Sequence, residues 1–321
     1  MEVRRLDGSG GAQTLTAADA NAHAPGHGLE HGLLWVHLDF SDDADVQWLR
    51  DHGALPALVV DALVAEDTRP RVVVEGAGLL AILRGVNLNP GADPEDMVSV
   101  RLWVERGRIV STRRRRLLSV ADLVASLDAG RGPGTAAEFV AALSERLVWR
   151  MSDTVDALED RIAELEARIM DGETAAMRGT LAALRRQTIT LRRYLAPERD
   201  ALARLLGEKI DWLDEVSRRR IRETTDRLIR HVEDLDAVRE RATVIHEELV
   251  GRLSEELNAR MYLLAIISVV FLPLGFLTGL LGINVGGIPG AEAPHAFITF
   301  SVLLIVLVSV QILVMRWKRW F

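Results

Sequence analysis

The apolar positions of this chain follow a strand-like period first and a helical one afterwards. From Trp35 to Phe40, Arg71 to Glu75, Leu79 to Leu88 and Val98 to Thr112, β-branched residues or alternating polarity predict strands, with Gly and Pro clusters between them. Asp45 to Ala65 carries helix-compatible residues around Pro56, so the mixture predicts a small α/β domain over residues 31–130. Residues 1–30 show no periodicity and several helix breakers, which predicts a mobile tail.

Gly130-Arg131-Gly132-Pro133-Gly134 ends that domain, and Thr135 is placed to cap a long helix. Within it Met151, Val155, Leu158, Ile162, Leu165 and Ile169 recur at alternating spacings of four and three, the seam of paired helices, and Asp171-Gly172 closes it. A second helix is predicted from Glu173 to Leu195, with a break at Pro197 and more helix to Leu206; together these make a helical layer over 131–216. From Ser217, Ile221, Leu228, Leu235, Ala242 and Leu249 repeat every seven residues, joined by Val232, Ile245 and Leu253. If this helix continues to Leu281 it has roughly 65 residues and a length of about 97 Å. So long a rod, whose soluble part is the stalk 217–261, needs partner helices.

Two stretches then fit a bilayer. Residues 262–281 and 296–315 are each twenty long; the first holds no charge and the second only Gln311 as a strongly polar member. Arg252 and Arg260 precede the first span, and Arg316, Lys318 and Arg319 follow the second in the basic tail 316–321. The connecting loop 282–295 has no Lys or Arg, so the positive-inside rule predicts cytoplasmic ends and an outward loop. Trp317 and Trp320 suit the interface. Two helices per chain cannot enclose an aqueous path, so a pore implies a homo-oligomer.

Composition narrows the chemistry. The 321 residues carry a formal net charge of -7 and no cysteine, which excludes thiolate metal cages and cysteine nucleophiles and argues against nucleic acid as a partner. The run Arg113 to Arg116 reads as a solvated face. The first thirty residues hold no apolar run long enough for a signal peptide. There is no P-loop, nucleophile motif or metal-hydrolase spacing, so an enzyme, and transport driven directly by ATP, are not expected, and no cofactor is implied. Pro25, Gly26 and Gly28 argue against His23, His27 and His31 forming a helical metal site, and His246 beside Glu247 and Glu248 reads as exposed surface.

At the end of the first span lies Phe271-Leu272-Pro273-Leu274-Gly275-Phe276-Leu277-Thr278-Gly279-Leu280-Leu281-Gly282-Ile283-Asn284. A Gly-x-Asn tripeptide after an uncharged, Pro-bearing span resembles the CorA metal-ion transporter family, although Ile283 stands where methionine is usual. The following Val285-Gly286-Gly287-Ile288-Pro289-Gly290 and the segment Leu83 to Asp96 look like the zinc-transporting branch of that family. The resemblance implies a CorA-like funnel-shaped oligomer with five subunits in a bacterial inner membrane, carrying zinc or another divalent cation and open to coupling with the proton gradient. It implies Gly282, Ile283 and Asn284 at the pore mouth and Asn258, Met261, Leu264, Ser268, Leu272, Gly275 and Gly279 along the pore. A ring of Asn284 amides presents neutral oxygens to a hydrated cation, which suits an ion that sheds water reluctantly and must be released again. Glu292, the one acidic residue of the outer loop, is placed to attract cations. Two other readings stay open: a magnesium channel, and a membrane-anchored coiled-coil sensor that passes no ions.

Overall fold

The computed structural model describes residues 1–22, 32–170, 177–282, 290 and 293–318. The chain divides into two units, Met1–His246 and Glu247–Phe321.

The first unit is built on a seven-stranded sheet: β1 (Glu2–Leu6), β2 (Ala12–Leu15), β3 (Leu33–Asp39), β4 (Arg71–Glu75), β5 (Gly78–Gly85), β6 (Val98–Glu105) and β7 (Arg108–Arg113). Their order is β2-β1-β3-β7-β6-β5-β4. Every pairing is antiparallel except β3 with β7, a junction that needs a crossover. The helices α2 (Asp43–His52) and α3 (Ala57–Val64) begin that crossover. The Asp42 carboxylate accepts from the Ala44 N–H at 3.0 Å at the start of α2. Pro56 directly precedes α3, where a missing N–H costs nothing. Leu49, Val59 and Leu63 bury against Val36, Leu38, Trp103 and Val110; β3, buried along almost its whole length, reads as a run of apolar residues rather than an alternation.

Two expectations are corrected here. The stretch from Val98 to Thr112 is a hairpin, because Arg106-Gly107 turns the chain so that Glu105 pairs with Arg108. Residues 1–22 are also no tail: β1 joins the sheet antiparallel to β3, β2 pairs with β1, and a short helix α1 (Ala17–Ala22) follows. Val3 and Leu6 reach the core, but Arg4 and Arg5 between them hide the alternation. The N-terminal hairpin docks on the Gly130–Gly134 loop, where the Gly132 N–H donates to the Gly10 carbonyl at 2.7 Å. A Cβ on Gly10, whose φ is +105°, would lie 2.8 Å from the Gly130 oxygen, so the close approach requires glycine.

After α4 (Leu118–Asp128) come three long helices: α5 (Ala136–Met170), α6 (Met177–Gly207) and α7 (Glu215–Gly282). The Thr135 hydroxyl accepts from the Glu138 N–H at 3.2 Å, as expected of a cap. The α5 seam from Met151 to Ile169 is buried. Glu145 pairs with Arg220 and Glu166 with Arg241, the same offset in sequence both times, so α5 and α7 run parallel. Arg192 of α6 pairs with Asp236, and the Leu206 carbonyl further along α6 accepts from Arg218, earlier in α7; the α7 partner moves back as α6 advances, so α6 is antiparallel to α7 and hence to α5. The break expected at Pro197 is absent, since α6 passes through it. Leu191 and Leu195 before it and Leu202 and Leu205 after it stay on one buried face, and that packing outweighs one lost backbone hydrogen bond. The heptad positions Ile221, Leu228, Leu235, Ala242 and Leu249 of α7 are buried with Val232 and Ile245, whereas Leu253 is 39% exposed.

Candidate ion pathway

The second unit holds the C-terminal part of α7 and α8 (Ala296–Trp317), both long and apolar enough to cross a membrane. Helix α7 continues unbroken through Pro273 to Gly282. Proline has no N–H to give, so the Val269 carbonyl four residues earlier loses its intrahelical donor. The Gln311 Nε2 of α8 donates to that carbonyl at 3.2 Å. The one strongly polar side chain of the second span thus satisfies the backbone group released by the proline of the first. Hydroxyls in the spans bond back along their own helices: Ser268 to the Leu264 carbonyl at 2.8 Å, Thr278 to that of Leu274 at 2.9 Å and Ser309 to that of Ile305 at 2.8 Å. Polar groups placed in hydrocarbon need such partners.

The residues of α7 that are partly covered are Ile266, Val270, Pro273, Leu274 and Leu277, and those of α8 include Phe300, Leu304, Leu307, Gln311 and the buried Met315. Each set recurs at three- and four-residue spacing, so the helices meet along one face of each. Asn258, Met261, Leu264, Ser268, Leu272, Gly275 and Gly279 are all exposed. At 100° per residue they fall within about 120° of arc, centred about 170° from the face that meets α8. Among the described residues, nothing lies within 4 Å of a Cβ built on Gly275, Gly279 or Gly282. Val250, Leu253 and Leu257, each at least 39% exposed, extend the same stripe toward the N-terminus of α7 at three- and four-residue steps.

Gly282 ends α7. Ile283, Asn284 and Glu292 lie outside the described residues, as do His23, His27, His31 and Trp320. His246 is exposed, as expected of a solvated stalk position. Among the described residues, no three His, Asp or Glu side chains gather into a group that could hold a metal ion. The Arg113–Arg116 run is only partly a solvated face: Arg113 pairs with Asp39 at 3.1 Å, Arg114 with Glu66 at 3.4 Å and Arg115 with Asp96 at 3.1 Å. The Gln311 contact with Val269 was not anticipated from sequence, although a lone Gln in one span and a lone Pro in the other are its signal.

An α/β unit, a layer of three long helices and two hydrophobic C-terminal helices define a membrane protein of the two-span transporter class. The chain belongs to the CorA-like Mg2+ transporter protein family, which matches residues 30–319. It is 38% identical over 310 residues to the zinc transport protein ZntB of Pectobacterium atrosepticum, covering 96% of this chain and 92% of that one. It is 42% identical over 300 residues to the divalent cation transporter CmaX of Pseudomonas aeruginosa, covering 91% and 89%. The solved structure of full-length CmaX superposes with a TM-score of 0.86 at 41% identity, over 100% of this chain and 98% of that one. The complete CorA magnesium transporter of Methanocaldococcus jannaschii shares the fold, with a TM-score of 0.80 at 15% identity over 100% and 99% of the two chains. Membership of this family sets the chain among transporters and not enzymes.

Proposed function

We propose that this chain transports divalent metal cations, zinc foremost, across a bacterial inner membrane through a path built from several copies of itself. The observation that carries the reading is the Gly282-Ile283-Asn284 tripeptide directly after the Pro-bearing span, in a chain similar over nine-tenths of its length to proteins named as zinc and divalent cation transporters. The exposed stripe from Asn258 to Gly279 supports the path. It turns away from α8, and a Cβ on its open glycines would meet nothing among the described residues, so copies of the chain are the natural cover for it. In a ring of five, Leu272, Leu264 and Met261 form apolar constrictions that close by excluding water, Gly275 and Gly279 widen the path, and Asn284 amides receive the hydrated ion. Glu292 in the outer loop raises the cation concentration at the mouth. Both chain ends lie in the cytoplasm, following the basic residues that flank the spans.

Neither span contains an acidic residue, so coupling to protons, where it exists, works through water, histidine or the loop and not through a membrane-buried carboxylate. A magnesium route is the second reading, favoured by the family's own description. Zinc uptake into proteoliposomes separates these, with magnesium as competitor and a pH gradient as a second variable. The wild type is expected to take up zinc, the Asn284→Ala variant to lose uptake, and tenfold magnesium to compete weakly. Magnesium uptake in preference to zinc favours the second reading, and no flux of either ion favours a membrane-anchored sensor.

A further inference from the structure

Outside the ion pathway, the α/β unit contains a cavity of about 260 Å³ that is lined by four arginines, Arg84, Arg101, Arg114 and Arg115, together with Phe40 and Glu66. Two of the four are buried: Arg101 is 1% exposed and Arg84 7%. Arg84 donates Nη1 to the Met97 carbonyl at 2.9 Å and Nη2 to the Thr68 carbonyl at 2.7 Å, leaving Nε without a partner among the described residues. Arg101 gives only Nη2 to backbone carbonyls, those of Ala65 and Glu66. Its Nε and Nη1 are buried and have no hydrogen-bond partner among the described residues, and one face of the guanidinium rests on the Phe40 ring at 4.5 Å.

The carboxylates nearby belong to the rim arginines and not to Arg101: Glu66 pairs with Arg114 and Asp96 with Arg115. Burial, with the positive charges of Arg84 and Arg114 beside it, lowers the Arg101 pKa to about 10. Asp67 and Glu198 act on Arg84, the second floor arginine, and not on Arg101. A buried cation with free N–H groups and no counter-charge is costly unless an anion meets it. A guanidinium fork matches the oxygens of a tetrahedral oxyanion. Arg114 and Arg115, 55% and 44% exposed in their side chains, leave the cavity a route to solvent.

We propose that this cavity binds a phosphate-class oxyanion, held by Arg101 and Arg84 at its floor and by Arg114 at its mouth. The site is independent of the transport reading, since its residues all lie in the first unit. Free inorganic phosphate and the phosphoryl group of a nucleotide share this chemistry.

The test is calorimetric titration of the full-length protein in detergent, in chloride buffer of fixed ionic strength, with inorganic phosphate in one arm and AMP in the other. The expected result is saturable binding of one phosphate or AMP per chain, lost in Arg101→Met and weakened at least fivefold in Arg114→Gln. Tighter binding of AMP than of phosphate identifies a nucleotide as the source; equal binding identifies the free ion. Should Arg101→Met fail to fold, the exposed pair of variants Arg114→Gln and Arg115→Gln decides. No saturable heat in either arm, or binding unchanged in the arginine variants, overturns the proposal and leaves Arg101 as a purely structural tie between β6 and the segment after α3.

Discussion

The Gln311 side-chain amide donates to the Val269 carbonyl at 3.2 Å, and Val269 is the residue whose carbonyl Pro273 leaves without its helical donor. A proline in a spanning helix exposes a backbone acceptor to hydrocarbon, where an unmet carbonyl is costly. The amide from α8 meets it and fixes the two helices against each other at that level.

Replacing Gln311 with Leu is therefore expected to weaken the pairing of α7 and α8 by about 0.6–2 kcal/mol, the range of interhelical hydrogen bonds in membranes. In a Pro273→Ala background, residue 273 regains an N–H for Val269 and the same Gln311→Leu change is expected to cost close to nothing. A double-mutant cycle on unfolding in mixed micelles reads the coupling directly.

Buried titratable groups in the first unit shape its response to pH. His37 is buried, with Nδ1 2.7 Å from the Ser111 hydroxyl, and burial lowers its pKa to about 3 from 6.5. The unfolded chain therefore binds the extra proton between those values, and stability falls as pH drops from 6.5 toward 3. Glu198 has the opposite sign: raised by burial to about 8 from 4.5, it holds a proton in the folded state that the unfolded chain releases, so stability falls as pH rises from 4.5 to 8. Between 4.5 and 6.5 the two slopes cancel. Glu198→Gln is expected to flatten the alkaline limb, each limb having a slope of up to about 1.4 kcal/mol per pH unit, as denaturant unfolding from pH 4 to 8 will show.

The helical layer is held by its seam more than by its ion pairs. Leu235 is fully buried, and Leu235→Ala is expected to cost about 2–5 kcal/mol. Arg241 and Glu166 are each 38% exposed in their side chains, so Arg241→Ala is expected to cost less than about 1 kcal/mol. Thermal unfolding of the two variants compares them.

Periodic features were legible in the sequence. The seams of α5 and α7, the strands around Trp35 and Leu80 and the two hydrophobic spans each announce themselves within one stretch of chain, because local repetition encodes them. Features made by distant partners were not. Strand β1 depends on β3 and hides behind Arg4 and Arg5; the Pro197 break is overruled by leucines on both sides; and the Arg101 cavity joins β5, β6 and the residues after β7. On α7, the positions from Asn258 to Gly279 could be named from sequence as one face, and the structure shows them exposed; that they line an ion path is the proposal. The relation of that face to α8 required Gln311 to be seen beside Val269.

The chain has no cysteine, so a single introduced thiol reports on one position alone. The most direct measurement is zinc uptake by proteoliposomes carrying Ser268→Cys, before and after treatment with a charged methanethiosulfonate, with wild type and Val306→Cys on an exposed face of α8 as controls. Loss of uptake on treatment of Ser268→Cys alone is the predicted result. Uptake that persists in treated Ser268→Cys, with the thiol shown to be labelled, contradicts the assignment of this face of α7 to the ion path.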